Sequence, residues 1–267
     1  MSETAKKRNQ TVDILRGIAM LMVVLGHTMT GCTVNSWDSI LFNVIWTLQM
    51  PLFILISGYV TRYSKSVLSF KSYGKFVWKR TLAYLLPWVV WTFVIRGIIF
   101  QQHGYLDIKN LPYHMDSGYW FLFTVWTISM IFGFSQLISE KICLNKNKFV
   151  RIAVLAISYV LGMGILGGIG LVMGLSFCCI KLTLYYMPFY FIGYLFGQLQ
   201  PEIDILKCGK SLLEIAVAAC LVVWLALMQR YNFYEIGNSG FCIILRAIAS
   251  LSGCIAVCGL VSKLIPQ

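Results

Sequence analysis

Polar residues in this chain gather in clusters, separated by runs that are almost wholly apolar. The runs cover roughly 12–31, 39–60, 82–101, 119–138, 149–180, 182–200, 211–229 and 241–262. A helix needs about 20 apolar residues to cross the hydrocarbon of a bilayer, and in hydrocarbon its backbone groups must bond to one another. The pattern predicts an all-α, polytopic membrane helix bundle of eight or nine spans. No internal repeat, low-complexity linker or soluble stretch interrupts it, so residues 1–267 read as a single membrane domain. No small-residue cleavage site follows the first run, which Arg16 and His27 interrupt. It reads as a retained span rather than a signal peptide.

The run 149–180 decides the count. As one helix its 32 residues would be about 48 Å long, against a core of about 30 Å. Gly162, Gly164, Gly167, Gly168 and Gly170 suggest a break there. The run is either one long tilted helix with a loose end, giving eight spans, or two short helices, giving nine.

Lys and Arg orient the bundle, because positive short loops stay in the cytoplasm. The N-terminus carries Lys6, Lys7 and Arg8, and the loop "TRYSKSVLSFKSYGKFVWKR" carries six basic residues. "SEKICLNKNKFVR" carries four, "CTVNSWDS" none, and 101–118 only Lys109. The N-terminus is therefore cytoplasmic. Eight spans put Lys207, Lys210 and Lys263 inside; nine put Lys181 and Arg230 there. Three against two favours eight.

Composition agrees with the pattern. The 267 residues are 58% hydrophobic and 12% charged, with a mean hydropathy of +0.76, whereas a soluble domain is roughly 25% charged. The formal charge of +12 follows the loop bias and does not imply a nucleic-acid partner. Seven of the nine cysteines lie in or beside apolar runs, where Cys acts as a small hydrophobe. They form no CxxC pair, no metal spacing and no disulfide framework.

Three residues break the first span, "TVDILRGIAMLMVVLGHTMTG": Asp13, Arg16 and His27. At 3.6 residues per turn all three share one helix face. Gly17 and Gly26 lie on or beside that face, where small residues let another helix or a ligand approach. Asp13 and Arg16 are close enough to touch and also fit a snorkelling pair at the cytoplasmic interface. His27 lies about 15 residues along, in the outer half. An ionisable group there faces a bundle interior or a water-filled cavity, and histidine is the side chain suited to act as base and acid near neutral pH. His103 and His114, near Asp107 and Asp116, fit no known metal spacing and read as solvated loop residues.

"LRGIAMLMVVLGH" resembles the first-span signature of the membrane acyltransferase 3 family, in its fucose-4-O-acetylase-like, surface-polysaccharide branch. "LQMPLFILISGY" (48–59), "FVWKRTLAYLLPW" (76–88), "YWFLFTVW" (119–126) and, more weakly, "LYYMPFYFIGYLFG" (184–197) follow in the family's order. The resemblance covers residues 10 to 200. It implies transfer of an acetyl or other acyl group from acetyl-CoA or another acyl-CoA, without a metal. The acceptor would be a hydroxyl of a carbohydrate, a lipid-linked glycan or another polar molecule, and the setting a multi-pass protein of the plasma membrane.

Carried over by residue, His27 matches the essential first-span histidine and Arg16, beside Asp13, its basic partner. Arg80 matches the first arginine of the donor-binding Arg-x-x-Arg motif, with Lys79 beside it. Trp120, next to Tyr119, matches the fourth-span opening and offers a surface on which a sugar could stack. Tyr185, Tyr186 and Tyr190 could stack as well, or form an interfacial belt.

Three positions depart from the family pattern. Ala83 stands where the second arginine belongs. Gln49 stands where the branch often has histidine before Met-Pro. The chain also ends after eight or nine spans where the family has about ten, so a second copy, in a homo-oligomer, could supply a missing span. The family pattern favours two short helices in 149–180. A transporter or flippase-like permease using the same intramembrane charges is the alternative reading.

Overall fold

The apolar runs become eight long helices in the structure, a computed structural model that describes residues 9–64, 66–101, 110–115, 120–143, 147–205 and 207–264. They are α1 (Gln10–Cys32), α2 (Ile40–Val60), α3 (Phe70–Ile99), α4 (Trp120–Ile142), α5 (Lys148–Met173), α6 (Ile180–Ile205), α7 (Lys207–Arg230) and α8 (Gly240–Leu264). No strand occurs among the described residues. Seven helices are long and apolar enough to cross a membrane: α1 to α5, α8, and α7 over Leu213–Arg230. In α6, Tyr185, Tyr186, Tyr190 and Tyr194 lower the hydropathy. The protein is an all-α helical membrane bundle. Tyr119, with Lys65, His103, Asp107 and Asp116, lies outside the described residues.

The glycines of 149–180 do not break the helix. α5 runs unbroken from Lys148 to Met173 and stops at Gly174, whose φ of +97° only glycine adopts freely. A helix-interior glycine costs about 1 kcal/mol relative to alanine, but in hydrocarbon no water competes for the backbone groups it would free. Gly162 has a packing use: a Cβ there would lie 2.5 Å from Ile131. One continuous helix, rather than two short ones, is therefore the observed form. In the turn that follows, burial pushes the Cys178 thiol up, as suits a cysteine used for packing rather than reaction.

The helices sort into two compact units, residues 1–63 with 189–267 and residues 64–188. In the first, α1 and α8 pack on α2, and α7 packs on α8. Val12, Leu15, Ala19, Leu52, Trp224 and Phe233 are among its buried core. α2 and α6 meet backbone to backbone. A Cβ on Gly58 would clash with the carbonyl oxygen of Tyr190, and one on Gly193 with that of Leu55; one on Gly197 would lie 2.9 Å from the Tyr59 carbonyl oxygen. Small residues four apart permit such crossings in membranes.

Asn43, buried on α2, ties down the α7–α8 connection. Its Nδ2 donates to the Tyr231 carbonyl at 2.8 Å and its Oδ1 accepts from the Phe233 N–H at 2.9 Å. Asn43→Leu leaves two backbone groups unbonded, each worth about 1–3 kcal/mol. The expected loss is about 2–6 kcal/mol, measured as a lower thermal midpoint of the purified protein.

In the second unit, α3 and α5 pack on α4. Trp126 Nε1 donates to Thr81 Oγ1 at 3.1 Å and Tyr159 Oη to the Met187 carbonyl at 3.1 Å. Arg151 pairs with Glu140 at the α4–α5 end. α3 changes pitch: Thr81–Leu85 and Val90–Ile99 are π-helical. Pro87 supplies a cause. In an α-helix its ring would clash with the carbonyl four residues back. Widening the turn before it shifts the bonding, so that Leu86 N–H reaches the Thr81 carbonyl, five residues back.

Candidate active site

α1 starts on Asn9, whose side chain accepts from the Val12 N–H at 3.2 Å, and continues to Cys32. It buries one stripe, Val12, Leu15, Ala19 and Gly26. Asp13, Arg16 and His27 stand on the flank of that stripe, within an arc of about 60° at 100° per residue. Arg16 and His27 are exposed and Asp13 is half-buried. Among the described residues no side chain pairs with Arg16 or with the His27 ring. Eleven residues of continuous helix hold Arg16 and His27 about 16 Å apart, so they cannot act on the same atom. Gly26, next to His27, receives α2: a Cβ there would lie 3.1 Å from Ile45 Cγ2 and 3.1 Å from Gln49 Oε1. Gln49 thus stands against Gly26, the residue before His27.

A group of aromatic rings that the sequence reading missed lies at the same end of this unit. Tyr234 stacks on Trp37 at 6.1 Å and meets Trp46 and Phe42 edge-on at 5.1 and 5.6 Å. Trp46 is 40% and Tyr234 43% exposed. Their loops are fixed. Asn232 Nδ2 donates to the Trp37 carbonyl at 3.0 Å, Asn232 Oδ1 accepts from the Tyr234 N–H at 3.2 Å, and Asn43 holds both neighbours of Asn232. Residues 195 positions apart leave no periodic signal; two tryptophans within ten residues around the α1–α2 connection were the available hint.

In the second unit, Arg80 is the last α-helical residue before the π-helical turn of α3. Its guanidinium donates to Tyr84 Oη at 3.0 Å and lies 5.3 Å from the Phe76 ring centre and 5.7 Å from that of Tyr84. Lys79 beside it is exposed. Ala83 stands where the resemblance leads one to expect a second arginine, and the adjacent Tyr84 bonds Arg80. A local π turn of this kind is frequent at functional sites.

Trp120 stacks on Tyr186 at 5.5 Å and 12° and, like Trp88, Phe93 and Phe123, packs against the buried Leu111, Met115 and Cys179. Its ring is held in the fold. Tyr190 is 2% exposed, which removes it from the aromatic surfaces that could meet a sugar. No metal-binding group of His, Cys, Asp or Glu occurs among the described residues.

A family model described as an acyltransferase domain matches residues 9–266. The chain is similar to the nodulation protein NolL of Sinorhizobium fredii (strain NBRC 101917 / NGR234), 27% identical over 232 residues, 82% of this chain and 58% of that protein. It is also similar to the nodulation protein NolL of Mesorhizobium japonicum (strain LMG 29417 / CECT 9101 / MAFF 303099), 25% identical over 244 residues, 84% of this chain and 59% of that one. The chain thus spans less than two thirds of the length of these curated relatives. No solved structure matches it. The family match begins at the residue that caps α1 and ends past α8; the chain belongs to the membrane acyltransferase 3 family.

Proposed function

We propose that this chain is a membrane O-acyltransferase that moves an acetyl or other acyl group from an acyl-CoA to a hydroxyl of a carbohydrate or another polar acceptor, in the plasma membrane. One observation carries the reading beyond family membership. His27 is exposed on α1, without a described partner, at the end of the unit that also holds the fixed rings of Trp37, Trp46 and Tyr234.

In this reading Trp37, Trp46 and Tyr234 bind the acceptor by stacking on its sugar. His27 takes the proton from the acceptor hydroxyl as the oxygen attacks the thioester carbonyl. The tetrahedral intermediate collapses, the C–S bond breaks, and the imidazolium returns the proton to the leaving sulfur. The Gln49 amide, set against Gly26, is the nearest candidate to donate to the oxyanion. Arg16, about 16 Å away, and Asp13 serve donor binding or the structure of α1.

Lys79 and Arg80 draw the anionic donor, Arg80 through a fork that matches phosphate oxygens. Trp120 and Tyr119 enter the substrate-binding set through the family resemblance, Trp120 from a stacked and fixed position.

The test is thioester consumption. Membranes carrying the chain are expected to release thiol from acetyl-CoA, faster when a polysaccharide acceptor is present. Inserted, folded protein that releases none would count against the reading. Arg80→Gln is expected to raise the donor KM about tenfold, the loss of ~1.4 kcal/mol from one charge-assisted contact, with little change in kcat. An unchanged KM would remove Arg80 from donor binding.

A further inference from the structure

The first unit contains a cavity that the proposed reaction does not use. Its volume is about 180 Å³, and at about 30 Å³ per water-sized group it holds on the order of six methylenes. Leu15, Leu55, Phe196, Val217 and Ile255 form apolar walls, and Asn9, Thr11, Tyr59 and Ser262 form a polar rim. The rim gathers one end of the unit: the start of α1, the end of α2 and the end of α8. Leu15 and His27 are twelve residues, or about 18 Å, apart along α1, so a molecule seated here stands well away from His27.

A cation sits beside this rim. Arg62 donates to Tyr59 Oη at 3.1 Å, and its guanidinium carbon lies 5.5 Å from the Tyr59 ring centre and 5.1 Å from that of Tyr63. Asn9 Nδ2 donates to Tyr63 Oη at 3.2 Å. A guanidinium between two phenols, with an amide alongside, offers donors suited to a phosphate. Lys263 and Glu214, the charged pair near Ser262 and Leu213, lie 3.4 Å apart and largely offset each other.

An apolar slot with a basic polar rim, at a helix end in a membrane protein, matches an amphiphile with one buried chain and an anionic head. We propose that the cavity is a binding site for an anionic phospholipid, with one acyl chain among Leu15, Leu55 and Val217 and the phosphate on Arg62 and the Tyr59 and Tyr63 hydroxyls. By the loop charges this end faces the cytoplasm, where anionic lipids concentrate and each Arg or Lys contributes about 1 kcal/mol of attraction.

Native mass spectrometry of the full chain, titrated with phosphatidylglycerol and with phosphatidylcholine of the same chains, tests the site. Wild type is expected to retain one phosphatidylglycerol and to prefer it about fivefold, the factor that ~1 kcal/mol corresponds to. Arg62→Gln should bring the two lipids to parity while chain binding persists. Ser262→Trp, at the exposed mouth, should remove both. Phosphatidylglycerol retained equally by wild type and Ser262→Trp would overturn the assignment, as would a charge preference that survives Arg62→Gln. Displacement of the lipid, one for one, by decanoyl-CoA would overturn it too, and would give the slot to the acyl donor.

Discussion

Replacing Gly58 or Gly193 by valine is expected to leave almost no folded protein in the membrane. The added Cβ would press far inside van der Waals contact with a backbone carbonyl oxygen, that of Tyr190 in the first case and of Leu55 in the second. A side chain can rotate away from an intruding methyl, but a carbonyl inside a helix cannot without breaking its own hydrogen bond. α2 and α6 would have to separate along the whole crossing and lose the packing that holds membrane helices together. Overpacking typically costs 1–3 kcal/mol where side chains can adjust; with two backbones opposed the expected cost is above ~3 kcal/mol at each site. Gly197→Ala, 2.9 Å from the Tyr59 oxygen and 3.5 Å from the Arg62 side chain, should be milder, at about 1–2 kcal/mol. Gly17→Ala and Gly164→Ala, with nothing within 4 Å, should not lower the thermal midpoint and should gain up to about 1 kcal/mol of helix preference. The measurement is the yield of monodisperse protein after solubilisation, with its melting midpoint. A Gly58→Val protein that purifies and melts like wild type would show that α2 and α6 do not cross this way.

His27→Ala is expected to do the opposite: folding is untouched and the chemistry is lost. The ring is exposed and no described side chain pairs with it, so its removal costs no packing and strands no partner. General base catalysis by a positioned side chain contributes about 10²- to 10⁴-fold, and acyl transfer should fall by that factor at an unchanged melting midpoint. Arg16→Ala separates the two ends of the constellation. Because Arg16 is about 16 Å from His27, its loss should appear in the donor KM and not as a His27-like loss of turnover. If His27→Ala keeps more than a tenth of the wild-type rate, the histidine is not the base.

The spans were legible because a bilayer imposes a length on every apolar run, and all eight runs became helices. The glycine run in α5 misled for a physical reason. Breaking power learned from helices in water assumes water ready to take the freed backbone groups, and hydrocarbon has none. The motif residues were visible, but their uses were not. In "SGY" and "FIGYLFG" the working parts are Gly58, Gly193 and Gly197, whose missing Cβ atoms allow α2 and α6 to touch. Asn43 looked like any polar residue inside a span; its role depends on two backbone groups nearly two hundred residues later in the chain. Trp37 and Tyr234 are similarly distant, so their platform had no local signature. Arg80 was legible as a basic residue at the mouth of a span, while its Tyr84 partner follows from helical spacing and becomes definite only with the turn that carries it.

In the proposed reaction His27 drives transfer of an acyl group from coenzyme A to an acceptor hydroxyl. The most direct test of that claim uses membranes holding equal amounts of inserted wild-type chain and of His27→Ala, each given acetyl-labelled acetyl-CoA and a polysaccharide acceptor, with thiol release and label in the glycan followed together. Wild type is expected to place label on the acceptor, one thiol released per acetyl transferred, and His27→Ala to do neither above background. Equal transfer by both, or no thiol and no label from folded wild type, would contradict the claim.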